Sequence, residues 1–262
     1  MFATKKELGQ HWLYDLESLQ AMADGIDLKK TDTVLEVGPG LGTLTTVLAR
    51  RAKSVVTVEF DADLARELVG RVPVNNLRIV RQDILKFNLL ELPKKYKIAA
   101  NIPYYLTSNL LRVLCESTNP FSKAALLVQK EVAERVAAEP GDMSMLSVSV
   151  QLYCTVRLGA IVPAELFTPA PKVDSQILLL EYRDKPLFAD IDHDRFFRVV
   201  KAGFSQKRKT LLNALSAGLQ LARDETESLL EEADIFPVAR AQSLSLEQWH
   251  DLYEVLASHG KA

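Results

Sequence analysis

Apolar positions in the first two thirds of the chain form short β-branched or aliphatic runs, separated by longer segments with helical spacing. The runs predict seven strands: Thr33–Val37, Ser54–Glu59, Leu77–Arg81, Lys97–Ala100, Ala124–Val128, Ser147–Leu158 and Ser175–Tyr182. Helices fit between the first five strands, an alternation that is typical of a mostly parallel sheet covered by helices. The segment Val162–Val173 is too short and too rich in proline for a crossover helix, so we expect an antiparallel last pair.

The pattern changes after Tyr182. Arg183–Pro186 resembles a linker, and the remaining residues have helical periodicity without strand-like runs. The apolar positions near one helical face are Phe197, Val200, Phe204, Leu211 and Leu215. Gly203–Ser205 is a candidate interruption of that helix. We therefore predict an α/β domain over residues 1–182 and a small all-α domain over residues 183–262.

Composition narrows the classes of protein to consider. A chain of 262 residues, 48% of them hydrophobic and 25% charged, is long enough for a full α/β domain and a smaller companion. Its net charge of −2 excludes a generally basic nucleic-acid binder, so any RNA contact requires local basic patches. Cys115 and Cys154 lack CxxC spacing, which argues against a disulfide framework or structural zinc. The N-terminus has no apolar signal core. We expect a cytoplasmic monomer with no metal and no membrane partner.

A glycine-rich loop follows the first predicted strand. Gly38, Gly40 and Gly42 alternate with other residues before a predicted helix, where glycine lets the backbone approach a ligand beside a helix N-terminus. The dinucleotide pattern G-x-G-x-x-G would need glycine in place of Thr43. The pattern G-x-G-x-G instead resembles the S-adenosylmethionine motif of class I methyltransferases, which have a Rossmann-like fold.

Two acidic residues follow at the ends of the next two predicted strands. Glu59 can accept hydrogen bonds from both hydroxyls of a ribose, and Asp83 can accept one from an adenine amino group. Either acid alone is more often a solvated surface charge or a helix cap. Because open parallel sheets bind ligands at the carboxyl ends of their strands, the acids and the glycine loop together predict an S-adenosylmethionine site.

The tetrapeptide Asn101-Ile102-Pro103-Tyr104 follows the fourth predicted strand. It matches the [DNS]-P-P-[YFW] type of motif of amino-methyltransferases, with Ile102 replacing the first proline. The Asn101 side-chain oxygen and the Ile102 carbonyl would accept from the N–H groups of an adenine amine and orient its lone pair toward the methyl donor. Tyr104 would stack on the extruded base, and Pro103 would stiffen the loop. The alternative, a plain strand-ending turn, is disfavoured by the preceding motifs.

Five stretches together resemble the ribosomal RNA adenine dimethyltransferase family, and within it the branch that acts on the bacterial small subunit. They are Leu8–Leu13, Leu35–Thr45, Asn101–Tyr104, Phe167–Ser175 and Phe204–Leu211. The resemblance implies S-adenosylmethionine-dependent N6,N6-dimethylation of two adjacent adenines in the 3′-terminal hairpin loop of 16S rRNA. It also implies a role in maturation of the small subunit, with that subunit or its precursor as the partner.

The resemblance assigns roles to individual residues. The implied cofactor contacts are His11, Leu13, Gly38, Gly40, Gly42, Glu59, Asp83, Ile84 and Asn101. Phe167 would either pack on the target adenine opposite Tyr104 or anchor the proline-rich loop as an apolar residue. The cations assigned to RNA phosphates are Lys207, Arg208 and Lys209, with Lys5 and Lys6 as further candidates. A run of three cations is more often only a solvated face.

The chain departs from the family pattern at His11-Trp12, at Tyr105 and in the loop Asp142–Met145. An imidazole can still donate a hydrogen bond, so we expect cofactor binding to be retained. Two alternatives stay open: a large-subunit (23S) rRNA adenine methyltransferase of the macrolide-resistance type, and a non-catalytic RNA-binding assembly factor. The segment Arg240–Trp249 favours the small-subunit branch, and the complete cofactor motif argues against a non-catalytic factor.

Overall fold

The computed structural model describes residues 10–262, so Lys5 and Lys6 lie outside the described residues. The chain forms two compact units. The first contains the described residues up to Glu134 together with Cys154–Tyr182, and the second contains Arg135–Tyr153 with Arg183–Ala262. The predicted division after residue 182 includes residues 135–153 in the first domain, whereas the structure assigns them to the second unit. The reason is packing, because apolar side chains of this segment are buried in the core of the second unit.

The strands found in residues 10–262 all belong to the first unit. They are β1 (Trp12–Leu13), β2 (Thr33–Val37), β3 (Ser54–Glu59), β4 (Leu77–Arg81), β5 (Lys97–Asn101), β6 (Lys123–Gln129), β7 (Cys154–Val162), β8 (Phe167–Thr168) and β9 (Ser175–Tyr182). Seven of them form one sheet in the order β4-β3-β2-β5-β6-β9-β7, and β9 is antiparallel to both its neighbours. The other neighbouring strands of this sheet are parallel. This sheet confirms the predicted Rossmann-like fold with an antiparallel last pair, while β1 and β8 pair separately.

The helices cover the sheet of the first unit and build the second unit. They are α1 (Leu16–Gly25), α2 (Thr43–Arg51), α3 (Ala62–Arg71), α4 (Thr107–Cys115), α5 (Lys130–Val136), α6 (Met145–Gln151), α7 (His193–Phe204), α8 (Leu211–Leu219), α9 (Arg223–Glu232) and α10 (Leu246–Ser258). Within residues 10–262, none has both the length and the apolar character that a membrane span requires.

The connection between β4 and β5 contains two 3₁₀ turns and no α-helix, so the helix predicted there is wrong. The turns start at polar side chains that bond to the backbone two residues on. Asp83 accepts from the Leu85 N–H at 3.0 Å, and Asn88 accepts from the Leu90 N–H at 3.1 Å. Such bonds stabilise turns in competition with helix formation.

The predicted strand Ser147–Leu158 is wrong over its first half, because Met145–Gln151 is helical and β7 begins at Cys154. Ser144 and Ser147 form a reciprocal capping box that starts α6. Val148 and Leu152 are four residues apart and are both buried in the core of the second unit. The alternating Ser-Val-Ser-Val sequence imitates the period of a strand, but packing selects the helical face.

The second unit confirms the predicted C-terminal helical region, with α7 to α10 following residue 183. α7 ends at Phe204, within the candidate interruption Gly203–Ser205. A Cβ atom at Gly203 would lie 2.4 Å from the ring of Trp249, which is fully buried. Gly203 therefore permits α7 and α10 to pack closely at this point.

Candidate active site

The glycine loop between β2 and α2 contacts two side chains of the first unit, those of Trp12 and Glu59. Gly40 has a φ of +55°, and a Cβ atom on it would lie 2.5 Å from the indole ring of Trp12. Its backbone N–H donates to Oε2 of Glu59 across 3.2 Å. Both the left-handed conformation and the close approach of Trp12 require glycine at this position.

Glu59 ends β3 and is 7% exposed. Oε1 of its carboxylate accepts from the Asp61 N–H at 2.9 Å, which leaves the remaining lone pairs of both oxygens for a ligand. Burial raises the pKa of Glu59, and the hydrogen bonds from Asp61 and Gly40 oppose that shift. Asp83 stands after the neighbouring strand β4, where one of its oxygens caps the following turn.

A cavity of about 230 Å³ lies at the carboxyl ends of these strands. Six residues that the sequence analysis assigned to the cofactor or catalytic site line this cavity: Gly38, Gly40, Glu59, Asp83, Ile84 and Pro103. Three aromatic side chains, those of Trp12, Phe60 and Tyr105, line it as well. A smaller cavity of about 40 Å³ also touches Gly38 and Gly40. Its walls include His11, Leu13 and Asn101.

The tetrapeptide begins at Asn101, the last residue of β5, and is held by His11, which directly precedes β1, and by β9. The Asn101 side-chain amide donates from Nδ2 to the backbone carbonyl of His11 at 3.1 Å. The His11 ring stacks on Tyr104 with centroids 5.8 Å apart, and its Nδ1 bonds to the Pro169 carbonyl at 2.6 Å. Because a carbonyl only accepts, His11 Nδ1 carries the proton. The Tyr104 hydroxyl lies 2.9 Å from Oγ of Ser175.

Several predicted site residues lie away from the cavities. Gly42 lines neither of them and packs beside Leu68 and Val72 at the start of α2. Ile102 is 1% exposed. Phe167 is 3% exposed, pairs with Leu13 through β1 and β8, and belongs to the apolar core. In this arrangement Phe167 is an apolar anchor, with almost no ring surface open to a base.

The predicted basic run belongs to the second unit. Lys207, Arg208 and Lys209 lie in the exposed turn between α7 and α8, before the first residue of α8. The altered loop Asp142–Met145 also lies in the second unit, where Met143 is buried and Ser144 caps α6.

Glu36 is a further candidate site residue, which the sequence motifs did not indicate. This residue is the last but one of β2, is 1% exposed and lines the smaller cavity. Its Oε2 atom has no hydrogen-bond partner among the described residues, and burial raises its pKa to about 8. An acidic residue inside an otherwise apolar buried strand was the available signal, since such a residue is rarely buried without a partner.

The residues that line the two cavities are suited to bind S-adenosylmethionine. The carboxylates of Glu59 and Asp83 suit hydroxyl and amino donors, the cradle at Gly40 has no room for a side chain, and the buried Glu36 suits a cationic group. A seven-stranded, mostly parallel sheet with this strand order and a ligand loop after β2 is found in class I S-adenosylmethionine-dependent methyltransferases, and this protein is one of them. The chain belongs to the ribosomal RNA adenine dimethylase family, whose model matches residues 1–258.

Curated relatives and solved structures agree with that assignment. Two relatives named Ribosomal RNA small subunit methyltransferase A come from Dehalococcoides mccartyi and Streptococcus equi subsp. zooepidemicus. They are 41% and 39% identical to this chain, and the matches cover 94% and 99% of it and 86% and 94% of the relatives. The crystal structure of a dimethyladenosine transferase from Plasmodium falciparum is similar with a TM-score of 0.84 and 29% identity, covering 96% of this chain and 99% of that one. The 23S rRNA methyltransferase ErmE is similar with a TM-score of 0.73 and 29% identity, covering 94% and 99%.

Proposed function

We propose that this protein dimethylates N6 of two adjacent adenines in the 3′-terminal hairpin loop of 16S rRNA, within the small subunit or its precursor. It would act as a cytoplasmic monomer during maturation of that subunit. The observation that carries the proposal is the orientation of Asn101. Its Nδ2 end is engaged by the His11 carbonyl, so its Oδ1 end is the one available to accept from an amine.

The chemistry follows from where positive charge develops. The exocyclic amine of adenine is a weak nucleophile, because its lone pair is delocalised into the ring. In the first transfer, Asn101 Oδ1 and the Ile102 carbonyl would accept its two N–H groups and direct the lone pair out of the ring plane. In the second transfer, one of them would accept the single N–H that remains. As the nitrogen becomes cationic these acceptors bind it more strongly, so they stabilise the transition state more than the ground state.

The remaining residues of the site bind and orient. S-adenosylmethionine supplies an electrophilic methyl group when bound and leaves as S-adenosylhomocysteine, while the methylated nitrogen releases one N–H proton to water. Glu59 and Asp83 would hold its ribose and adenine, and Tyr104 would stack on the target base with its hydroxyl held by Ser175. Glu36 would face the positively charged end of the cofactor from the smaller cavity.

The choice of subunit rests on the relatives. Those of about 40% identity are named for the small subunit, whereas the large-subunit enzyme is 29% identical. A non-catalytic assembly factor would have no need for a buried glutamate that accepts from the glycine loop. Both observations support a small-subunit methyltransferase.

The test is to offer unmethylated small subunits and unmethylated 23S rRNA separately to the protein with labelled S-adenosylmethionine, and to map the labelled bases. We expect label only in two adjacent adenines near the 3′ end of 16S rRNA, and labelling about ten- to a hundred-fold slower with Asn101→Ala at the same protein concentration. Label in 23S rRNA would establish the large-subunit alternative. Tight binding of subunits without any label would establish the non-catalytic one.

A further inference from the structure

The most exposed large apolar residues of the described chain are two neighbours in one turn of the second unit. Phe236 is 78% exposed and Val238 is 77% exposed, with Pro237 between them. The residues that flank the turn are buried, Ile235 at 3% and Ala241 at 8%. An isolated exposed apolar residue is ordinary, whereas two held outward between buried anchors indicate a contact surface.

The turn is rigidly attached to the start of α8. The Ala239 N–H donates to the Phe236 carbonyl at 2.9 Å, which closes the turn. The Leu211 N–H donates to the Ala239 carbonyl at 2.7 Å, and the Leu212 N–H donates to the Pro237 carbonyl at 3.4 Å. Because the turn takes up these two N–H groups of α8, the position of its backbone is fixed, and its exposed side chains project from a defined place on the surface.

These hydrogen bonds bring the turn next to the basic run. Leu211 follows Lys209 by two residues, so Phe236–Ala239 and Lys207–Lys209 lie on the same part of the surface. Arg240, also exposed, comes directly after the turn. None of these four cations forms an ion pair with a carboxylate in residues 10–262. α8 also packs against α9, which carries five acidic residues, so the four cations are the groups of this region that attract a polyanion.

We propose that the turn Phe236–Ala239 and the basic run Lys207–Lys209 form one RNA-binding surface, in which Phe236 stacks on an unpaired base of the ribosomal RNA. This inference rests on the proposed function, because it takes ribosomal RNA as the partner. Lys207, Arg208, Lys209 and Arg240 contact the flanking phosphates. A protruding aromatic ring beside unpaired cations is the arrangement by which proteins bind single-stranded nucleic acid.

Stacking and phosphate contact are separable by salt dependence, so we would measure the affinity for unmethylated small subunits at several salt concentrations. Phe236→Leu keeps an apolar side chain but removes the ring, and it should weaken binding about five- to a hundred-fold with the salt slope unchanged. Phe236→Tyr should bind within about twofold of wild type. Reversing all three charges of Lys207, Arg208 and Lys209 should instead flatten the slope by about 2–3 units, at roughly 0.7–0.9 for each cation.

The matched control is Leu90→Ala, since Leu90 is 62% exposed in the first unit and should leave affinity unchanged. Phe236→p-benzoylphenylalanine, irradiated on the subunit, should cross-link to a nucleotide of 16S rRNA. Unchanged affinity in Phe236→Leu, or a cross-link to a ribosomal protein, would overturn the inference. The methyl transfer rate of Phe236→Leu at saturating subunits should equal that of wild type. Absence of transfer in the wild type itself would overturn the proposed function instead.

Discussion

Glu59 and Gly40 are joined by a hydrogen bond of 3.2 Å from the glycine N–H to Oε2 of the carboxylate. The residue at the end of β3 thereby fixes the conformation of the loop that follows β2. Glu59 would therefore have two tasks, because it holds the glycine loop and presents lone pairs to the cofactor. Loss of its charge should lower the affinity for the cofactor more than the affinity for RNA.

Glu59→Gln and Asp83→Ala should each weaken the binding of S-adenosylmethionine. A hydrogen bond to a charged group contributes about 1.5–3 kcal/mol, which is roughly ten- to a hundred-fold in affinity. Titration calorimetry measures the change, with Glu116→Ala as the control, because Glu116 pairs with Arg112 on the surface of α4. Unchanged affinity in both site variants would mean that the cavity serves another ligand.

Asn101→Ala should reduce kcat for methyl transfer about ten- to a hundred-fold, since the lost acceptor binds the developing charge on the nitrogen. The variant also loses the bond to the His11 carbonyl, so cofactor affinity and the circular dichroism spectrum must be measured beside the rate. Transfer within threefold of wild type at saturating cofactor would contradict the role assigned to Asn101.

Gly40→Ala should destabilise the protein by about 1–3 kcal/mol, because alanine is strained at φ +55° and its Cβ would collide with Trp12. The substitution should also weaken binding of the cofactor. Gly70→Ala is the matched control: Gly70 lies in α3 with no atom near its Cβ position, so alanine should stabilise the helix by up to about 1 kcal/mol. Urea denaturation of both variants compares them, and equal effects would refute the packing argument.

Glu36→Gln should change the dependence of stability on pH. Burial raises the pKa of Glu36 in the folded protein to about 8, so the folded state keeps a proton that the unfolded state releases near its ordinary value of 4.5. This contribution to stability is complete below pH 4.5 and is lost as the pH rises to about 8.

Each pKa unit corresponds to about 1.4 kcal/mol, so the wild-type unfolding free energy should fall by a few kcal/mol over this range. The unfolding free energy of Glu36→Gln should fall less over this range, and the variant should be more stable than wild type at the high-pH end. The exposed Glu139→Gln should follow the wild-type curve. Parallel curves for wild type and Glu36→Gln would show that the pKa of Glu36 is the same in the folded and unfolded states, and would contradict the prediction. Glu59, whose pKa is also raised, contributes a slope that remains in all three proteins.

The pattern of residues along the chain was sufficient to predict the sheet and the edge of it at which the candidate ligand site lies. Apolar runs with the length of buried strands located all seven strands of the sheet, although the run at Ser147–Leu158 began too early. Parallel strands bring their carboxyl ends to one edge, so the glycine loop, Glu59, Asp83 and Asn101 could be placed together before any coordinates. These features depend on local pattern and on a general rule of sheet topology.

Features that depend on contacts between distant parts of the chain became apparent only in the folded structure. The amide orientation of Asn101 is set by His11, which is 90 residues away. The helical state of Met145–Gln151 follows from burial of Val148 and Leu152 in the second unit, and Phe167 is buried by its pairing with Leu13. The outward position of Phe236 is set by hydrogen bonds from α8. Local sequence does not encode these features, because each side chain's environment is created only when the remote segment packs against it.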